Sequence, residues 1–191
     1  MKFAEYIERH GKAFKLFLAL SLTILFWTVL LACFSPEEIV AWLGVKNGYA
    51  VMFLVSLFGG VSALTAGSYF GVLLTLAAGG LDPILLGIVS GTAATVGDTV
   101  FYFAGKHGGR TLSRGKLRRT LKRMSRWLNK KPKWFAPILL YFLAAFTPIP
   151  NDITAGVMGL ARRSWLATVL PLVLGNITLT IIVAYLGYTF W

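Results

Sequence analysis

The sequence predicts an all-α integral membrane protein: transmembrane helices plus two opposed re-entrant helical hairpins in a degenerate inverted repeat. Three observations lead there. Of 191 residues, 57% are hydrophobic, and the mean hydropathy is +0.71, well above a soluble domain of this length. The charge is concentrated: residues 106–133 hold 12 of the 19 Lys and Arg and none of the seven acids. Finally, two apolar regions are interrupted where a bilayer core is expected, by "FGGVSALTAGS" at 58–68 and by "TPIPND" at 147–152.

The elements follow in order. Residues 1–15 form a basic N-terminus, placed in the cytoplasm. The apolar run 16–34 is long enough for a first transmembrane helix. "LLAC" at 30–33 imitates a lipoprotein cleavage box, but Leu31 is unusual just before the Ala-Cys pair. We therefore read an uncleaved helix, with Cys33 as a small buried apolar residue. One cysteine allows no intrachain disulfide. A polar connection, 35–48, leads into the membrane domain at 49–190.

Parity decides the next element. The block at 106–133 belongs in the cytoplasm by the positive-inside rule. One plain span over 49–80 would deliver it to the wrong side. Two full spans need about 40 residues, and only 32 are present. A hairpin entering and leaving by the same face satisfies both limits. Its arms, Tyr49–Gly60 and Ser68–Gly80, would be about 16 and 18 Å long, with Gly59, Gly60, Thr65 and Gly67 at the tip. Span 83–105 then runs inward, with Asp82 capping it ahead of Pro83. The same logic makes 134–161 a second hairpin, bounded by Arg162 and Arg163, before the last span, 164–190. Pro148 and Pro150 would each cost about 3 kcal/mol inside a helix, but little at a tip. Asn151 or Asp152 can cap the half-helix beyond. "LTAGS" at 64–68 faces "ITAGV" at 153–157 as the trace of a repeat, and opposed hairpins are common in transporters.

The basic loop repeats Leu117, Leu121, Met124 and Leu128 at helical spacing. That predicts an amphipathic helix on anionic headgroups. A nucleic-acid partner is not expected, because the loop is tied to the membrane at both ends.

Polar residues at depth are the site candidates. Gly87, Gly91, Thr95, Asp98, Tyr102 and Gly105 share one helix face, fit for close packing or for lining a wet cavity. Asp98 there is either a hydrogen-bonded structural acid or a site for a proton or substrate cation. Asp152 is either the cap of its half-helix or a group that alternates with a phosphate bound at the free N–H groups. Arg162 and Arg163 either anchor the hairpin or gather phosphates. Enzyme chemistry has no support: His10 and His107 are the only histidines, and no HExxH, GxSxG or Walker motif occurs. No metal or cofactor is expected.

"GTAATVGDTVFYFAGKHGGR" (91–110) and "TPIPNDITAGVMGL" (147–160) resemble segments of the DedA/VTT superfamily, the SNARE-associated Golgi protein family. The resemblance covers about residues 50–190. It implies two facing re-entrant hairpins and lipid translocation by a flippase or scramblase. The substrates it implies are undecaprenyl phosphate or phospholipids, with proton or cation coupling. Asp98 and Asp152 match acidic positions of the family. "SALTAGSYF" departs from the pattern, having neither the Pro nor the acid common in the first hairpin. The expected partners are membrane lipids with anionic headgroups, with a homo-oligomer left open, and the expected location is the plasma (inner) membrane. Two other readings stand beside this one: a small-solute or ion transporter, and a non-transporting membrane scaffold.

Overall fold

The computed structural model describes residues 22, 29, 33–34, 36–59, 63–107, 116–147 and 151–190. Every regular element among them is an α-helix. They are α1 (Pro36–Leu43), α2 (Val45–Gly59), α3 (Ala63–Ala78), α4 (Pro83–Lys106), α5 (Lys116–Asn129), α6 (Phe135–Phe146), α7 (Asn151–Leu160) and α8 (Leu166–Phe190). Two of them, α4 and α8, are long and apolar enough to cross a membrane. The expected first helix at 16–34 lies largely outside the described residues. Cys33 is exposed, not buried as expected.

Local chemistry sets the ends of α4. Asp82 Oδ1 accepts from Leu85 N–H at 2.7 Å, and Pro83 opens the helix, as its fixed φ favours. The face predicted from helical spacing is the buried one: Gly87, Gly91, Thr95, Asp98, Tyr102 and Gly105 all lie inside. The connection at 35–48 is more ordered than expected. It contains α1, stopped by Gly44 at φ +77°.

α4 and α8 form the centre and cross antiparallel. Gly87 of α4 lies against Ile181 and Gly91 against Asn176 and Ile177, so contacts run down one helix as they run up the other. The broken pairs α2–α3 and α6–α7 wrap this centre in a crossed pattern. α2 packs on α4 and α3 on α8, whereas α6 packs on α8 and α7 on α4. Two apolar clusters result. One gathers Met52, Leu73, Leu76 and Leu86 near the start of α4. The other gathers Tyr102, Leu140, Met158 and Leu172 near its end, together with Leu121 and Leu128 of α5. A polar layer separates them.

The first break is narrower than the sequence implied. α2 continues to Gly59 and α3 starts at Ala63, so Thr65 and Gly67 lie within a helix and not in a loop. Small residues broke the pattern in sequence but not the backbone, and small residues such as Gly, Ala, Ser and Thr are common in packed membrane helices. Gly60 lies outside the described residues, as do Pro148 and Pro150. α2 and α3 have 15 and 16 residues, about 22 and 24 Å of helix, longer than the expected arms. α6 and α7 have 12 and 10, about 18 and 15 Å.

One module occurs twice, 82 residues apart. At the end of α3, Gly80 N–H meets Ala77 C=O (3.1 Å) and Leu81 N–H meets Leu76 C=O (3.2 Å). At the end of α7, Arg162 N–H meets Gly159 C=O (2.9 Å) and Arg163 N–H meets Met158 C=O (3.1 Å). Both are Schellman turns. Each is followed by a cap, Asp82 on Leu85 N–H or Ser164 on Ala167 N–H. The same shift carries the close approach of Gly105 to Gly156 onto that of Leu74 to Gly187. The register differs from that of the "LTAGS"/"ITAGV" match, which is offset by 89.

The two turns differ at one residue. Gly80 holds φ +92°, but Arg162 holds φ +55° with a side chain. Left-handed backbone costs an L-residue about 1–2 kcal/mol. Arg162→Gly should therefore raise thermal stability in detergent, by about 1 kcal/mol, and Gly80→Ala should lower it by a similar amount. Equal melting of Arg162→Gly and wild type would remove the strain argument.

Candidate functional site

The polar layer lies where α4, α7 and α8 meet. Asp98 and Asn176 are 3% and 4% exposed. The Asn176 side chain is its hub. Its Nδ2 donates to Asp98 Oδ2 at 3.0 Å and to Thr95 Oγ1 at 2.9 Å. Its Oδ1 accepts from Asn151 Nδ2 at 2.6 Å. Thr95 Oγ1 in turn donates to Gly91 C=O at 2.8 Å. Thr180, one turn further along α8, donates to Gly87 C=O across the helix pair at 2.8 Å. These bonds compensate for holding polar atoms in an apolar interior.

The glycines make the hub possible. A Cβ on Gly91 would lie 2.6 Å from Ile177 N, so only glycine lets α4 approach α8 closely enough for Asn176 to reach Thr95 and Asp98.

The structure unites three of the residues singled out in the sequence. Asp98 and Asn151 join through Asn176, and Asp152 lies within electrostatic reach of Asp98. Asp152 sits in the first turn of α7, half-buried, with Oδ1 accepting from Ile153 N–H at 2.8 Å. Asn151 spends its side chain on Asn176, not on capping α7. Its Oδ1 is buried and has no partner among the described residues.

Tyr102 and the two arginines form a separate tie. Tyr102 is fully buried, and its hydroxyl donates to Arg163 C=O at 2.7 Å. Arg163 Nη2 donates to Leu128 C=O at 2.7 Å, at the C-terminal end of α5. A cation there satisfies free carbonyls and meets the negative end of the helix dipole. Arg163 Nη2 is thus engaged by protein carbonyls, while Arg162 is exposed. α5 is the amphipathic helix expected from the spacing, with Met124 and Trp127 exposed. Leu121 and Leu128 pack against the protein, in the cluster with Val157 and Met158 of α7, while Arg119, Lys122, Arg123 and Arg126 face outward.

Sequence reasoning missed Asn176. The signal was present: an Asn in the middle of a 25-residue apolar helix is expensive and therefore informative.

The VTT domain family model matches residues 68–189. The chain belongs to the VTT domain family. Its matched region starts within α3 and ends one residue short of the end of α8, so it contains the whole polar layer. No curated protein and no solved structure gives a significant match. The VTT domain family is membrane-associated and linked to transport, in keeping with the two apolar helices of this chain.

Proposed function

We propose that this VTT domain protein moves a phosphate-headgroup lipid, such as undecaprenyl phosphate or a phospholipid, between leaflets as a flippase or scramblase. One observation carries the reading: a buried, hydrogen-bonded polar layer at the meeting of α4, α7 and α8, inside an otherwise apolar shell. A headgroup would cross at that layer while its tail stays in the bilayer. In this reading α2–α3 and α6–α7 are re-entrant hairpins from opposite faces. The crossed packing and the module repeated at 82 residues support an inverted repeat. Arms of 10–16 residues fall short of the ~30 Å hydrocarbon core. The basic loop and Arg162–Arg163 are cytoplasmic, with Lys46 and Trp191 opposite, in the plasma (inner) membrane. Labelling of Thr120→Cys from outside intact cells, in a Cys33→Ser background, would overturn that topology.

Purified protein in liposomes with headgroup-labelled lipids tests the function. The expected result is headgroup transfer that depends on protein and weakens on Asp98→Ala. Asp152→Asn should retain the fold, because Asn caps as well as Asp, yet change the pH profile if Asp152 exchanges protons. Solute or ion flux without lipid transfer would favour the small-solute reading, and inactivity toward both would favour a scaffold.

A further inference from the structure

The hydrogen-bond chain Asp98–Asn176–Asn151 has a direction, and one end sets it. An ionised carboxylate only accepts. Asn176 therefore turns its NH2 toward Asp98 and its C=O toward Asn151. Asn151 must then give its NH2 inward. What remains is the Asn151 C=O, buried and without a partner among the described residues.

A proton on Asp98 permits the reverse arrangement, with only the N and O of each amide exchanging places. The Asp98 O–H donates to the Asn176 C=O once that amide turns over about its terminal bond. The Asn176 NH2 then donates to Asn151, whose amide turns over in the same way. The Thr95 hydroxyl, now an acceptor from Asn176, donates instead and releases Gly91 C=O. Each side-chain bond of the chain is replaced by its reverse. The outer end changes from a C=O to an NH2.

We infer that Asn176 is a polarity relay: it carries the charge state of Asp98 to the Asn151 amide, which presents an acceptor when Asp98 is ionised and a donor when it is neutral. Asn176 is thus a positioning residue, acting through Asn151. The ligand part of the inference rests on the lipid-transport reading. A phosphodiester headgroup, or a fully ionised phosphate, offers only acceptors, so the donor state binds it and the acceptor state rejects it. Proton binding and headgroup binding are then coupled through two neutral amides.

Other ionisable groups bear on Asp98. Asp152 on α7 and Tyr69 on α3 lie within electrostatic reach. Tyr102 is on the same helix, and its hydroxyl is committed to Arg163 C=O. From α2, Lys46 and Tyr49 lie at its far end, where the Tyr49 hydroxyl accepts from Asp82 N–H. α8 has only Tyr185 and Tyr188, in its last turns.

The test uses the full chain in nanodiscs, with Asp152→Asn in every sample to silence that carboxyl. The probe is dimethyl phosphate, a diester that keeps a single charge as pH changes. In this parent, binding should weaken by about tenfold to a hundredfold as Asp98 ionises, the effect of exchanging a charge-assisted hydrogen bond for a clash of acceptors. Asn176→Leu should leave only a few-fold, through-space dependence on pH. Infrared difference spectra with isotope-labelled asparagine give a second readout that does not depend on that variant folding. Amide C=O bands should shift between acid and base in the parent and stay still in Asp98→Asn. Equal pH dependence in Asn176→Leu and parent, or pH-silent asparagine bands, would overturn the relay. Probe binding that follows Asn176 in a protein that moves no lipid would uphold the relay and sink the transport reading. Lipid transfer with silent asparagine bands would do the opposite.

Discussion

Gly91→Leu should prevent the α4–α8 core from assembling, and even Gly91→Ala should destabilise it strongly. A Cβ at position 91 would lie 2.6 Å from Ile177 N, 2.7 Å from Ile177 Cα and 2.8 Å from the Asn176 carbonyl carbon. These are backbone atoms of a neighbouring helix, so no rotamer change relieves them and the helices must separate. Overpacking of this kind costs about 1–3 kcal/mol and sometimes more, against a helix-propensity gain of about 1 kcal/mol for Gly→Ala. Gly48→Ala makes the control. Its Cβ would meet the end of the Leu81 side chain at 2.9 Å, which can rotate aside, so the propensity gain should nearly cancel the cost. Thermal melting in detergent compares the two. Gly91→Ala melting at or above Gly48→Ala would refute backbone contact as the basis of the core. The variant should also damage the site, because separating α4 from α8 pulls Asn176 away from Thr95 and Asp98.

The parts of this fold set by local punctuation were legible in sequence. Asp82-Pro83 opens α4 as expected, and helical spacing picked out its buried face, because both depend on residues within one helix. Features that depend on which surface meets which were not legible. The stripe Leu117, Leu121, Met124 and Leu128 was recognised, but periodicity does not tell which of its residues meet protein: Leu121 and Leu128 pack in the cluster with α7, whereas Met124 is exposed. Thr65 and Gly67 resembled a break because small residues weaken isolated helices, yet both lie within α3. The site was half visible. Asp98 and Asp152 stood out as acids at depth, and Asn151 by its place beside the prolines. The residue that joins Asp98 to Asn151 did not. Asn176 carries no charge, and its role comes from helices 78 and 25 residues away in the chain.

Arg163→Met should release α5 from the membrane domain while leaving the α4–α8 core in place. One residue holds three elements together here. Its Nη2 donates to Leu128 C=O at 2.7 Å, and its own C=O accepts the Tyr102 hydroxyl at 2.7 Å. The first bond is charge-assisted and closes the C-terminal end of α5 at the turn between α7 and α8, so losing it costs about 1.5–3 kcal/mol. The second is neutral and costs about 1 kcal/mol. A cysteine substituted for the buried Ser125 of α5 reports undocking, in a Cys33→Ser background, by its reaction with a water-soluble maleimide. Arg163→Met should speed that reaction by about tenfold to a hundredfold. Tyr102→Phe should barely change it, since Arg163 Nη2 keeps its carbonyl. Arg163→Lys should fall between, because an ammonium supplies the charge without the planar fork. An unchanged rate in Arg163→Met would mean that burial of Leu121 and Leu128 alone holds α5. A faster rate would mean that the basic helix hangs on one guanidinium, and that anything drawing Arg163 away from Leu128 also frees α5 and its outward-facing cations from the body of the protein.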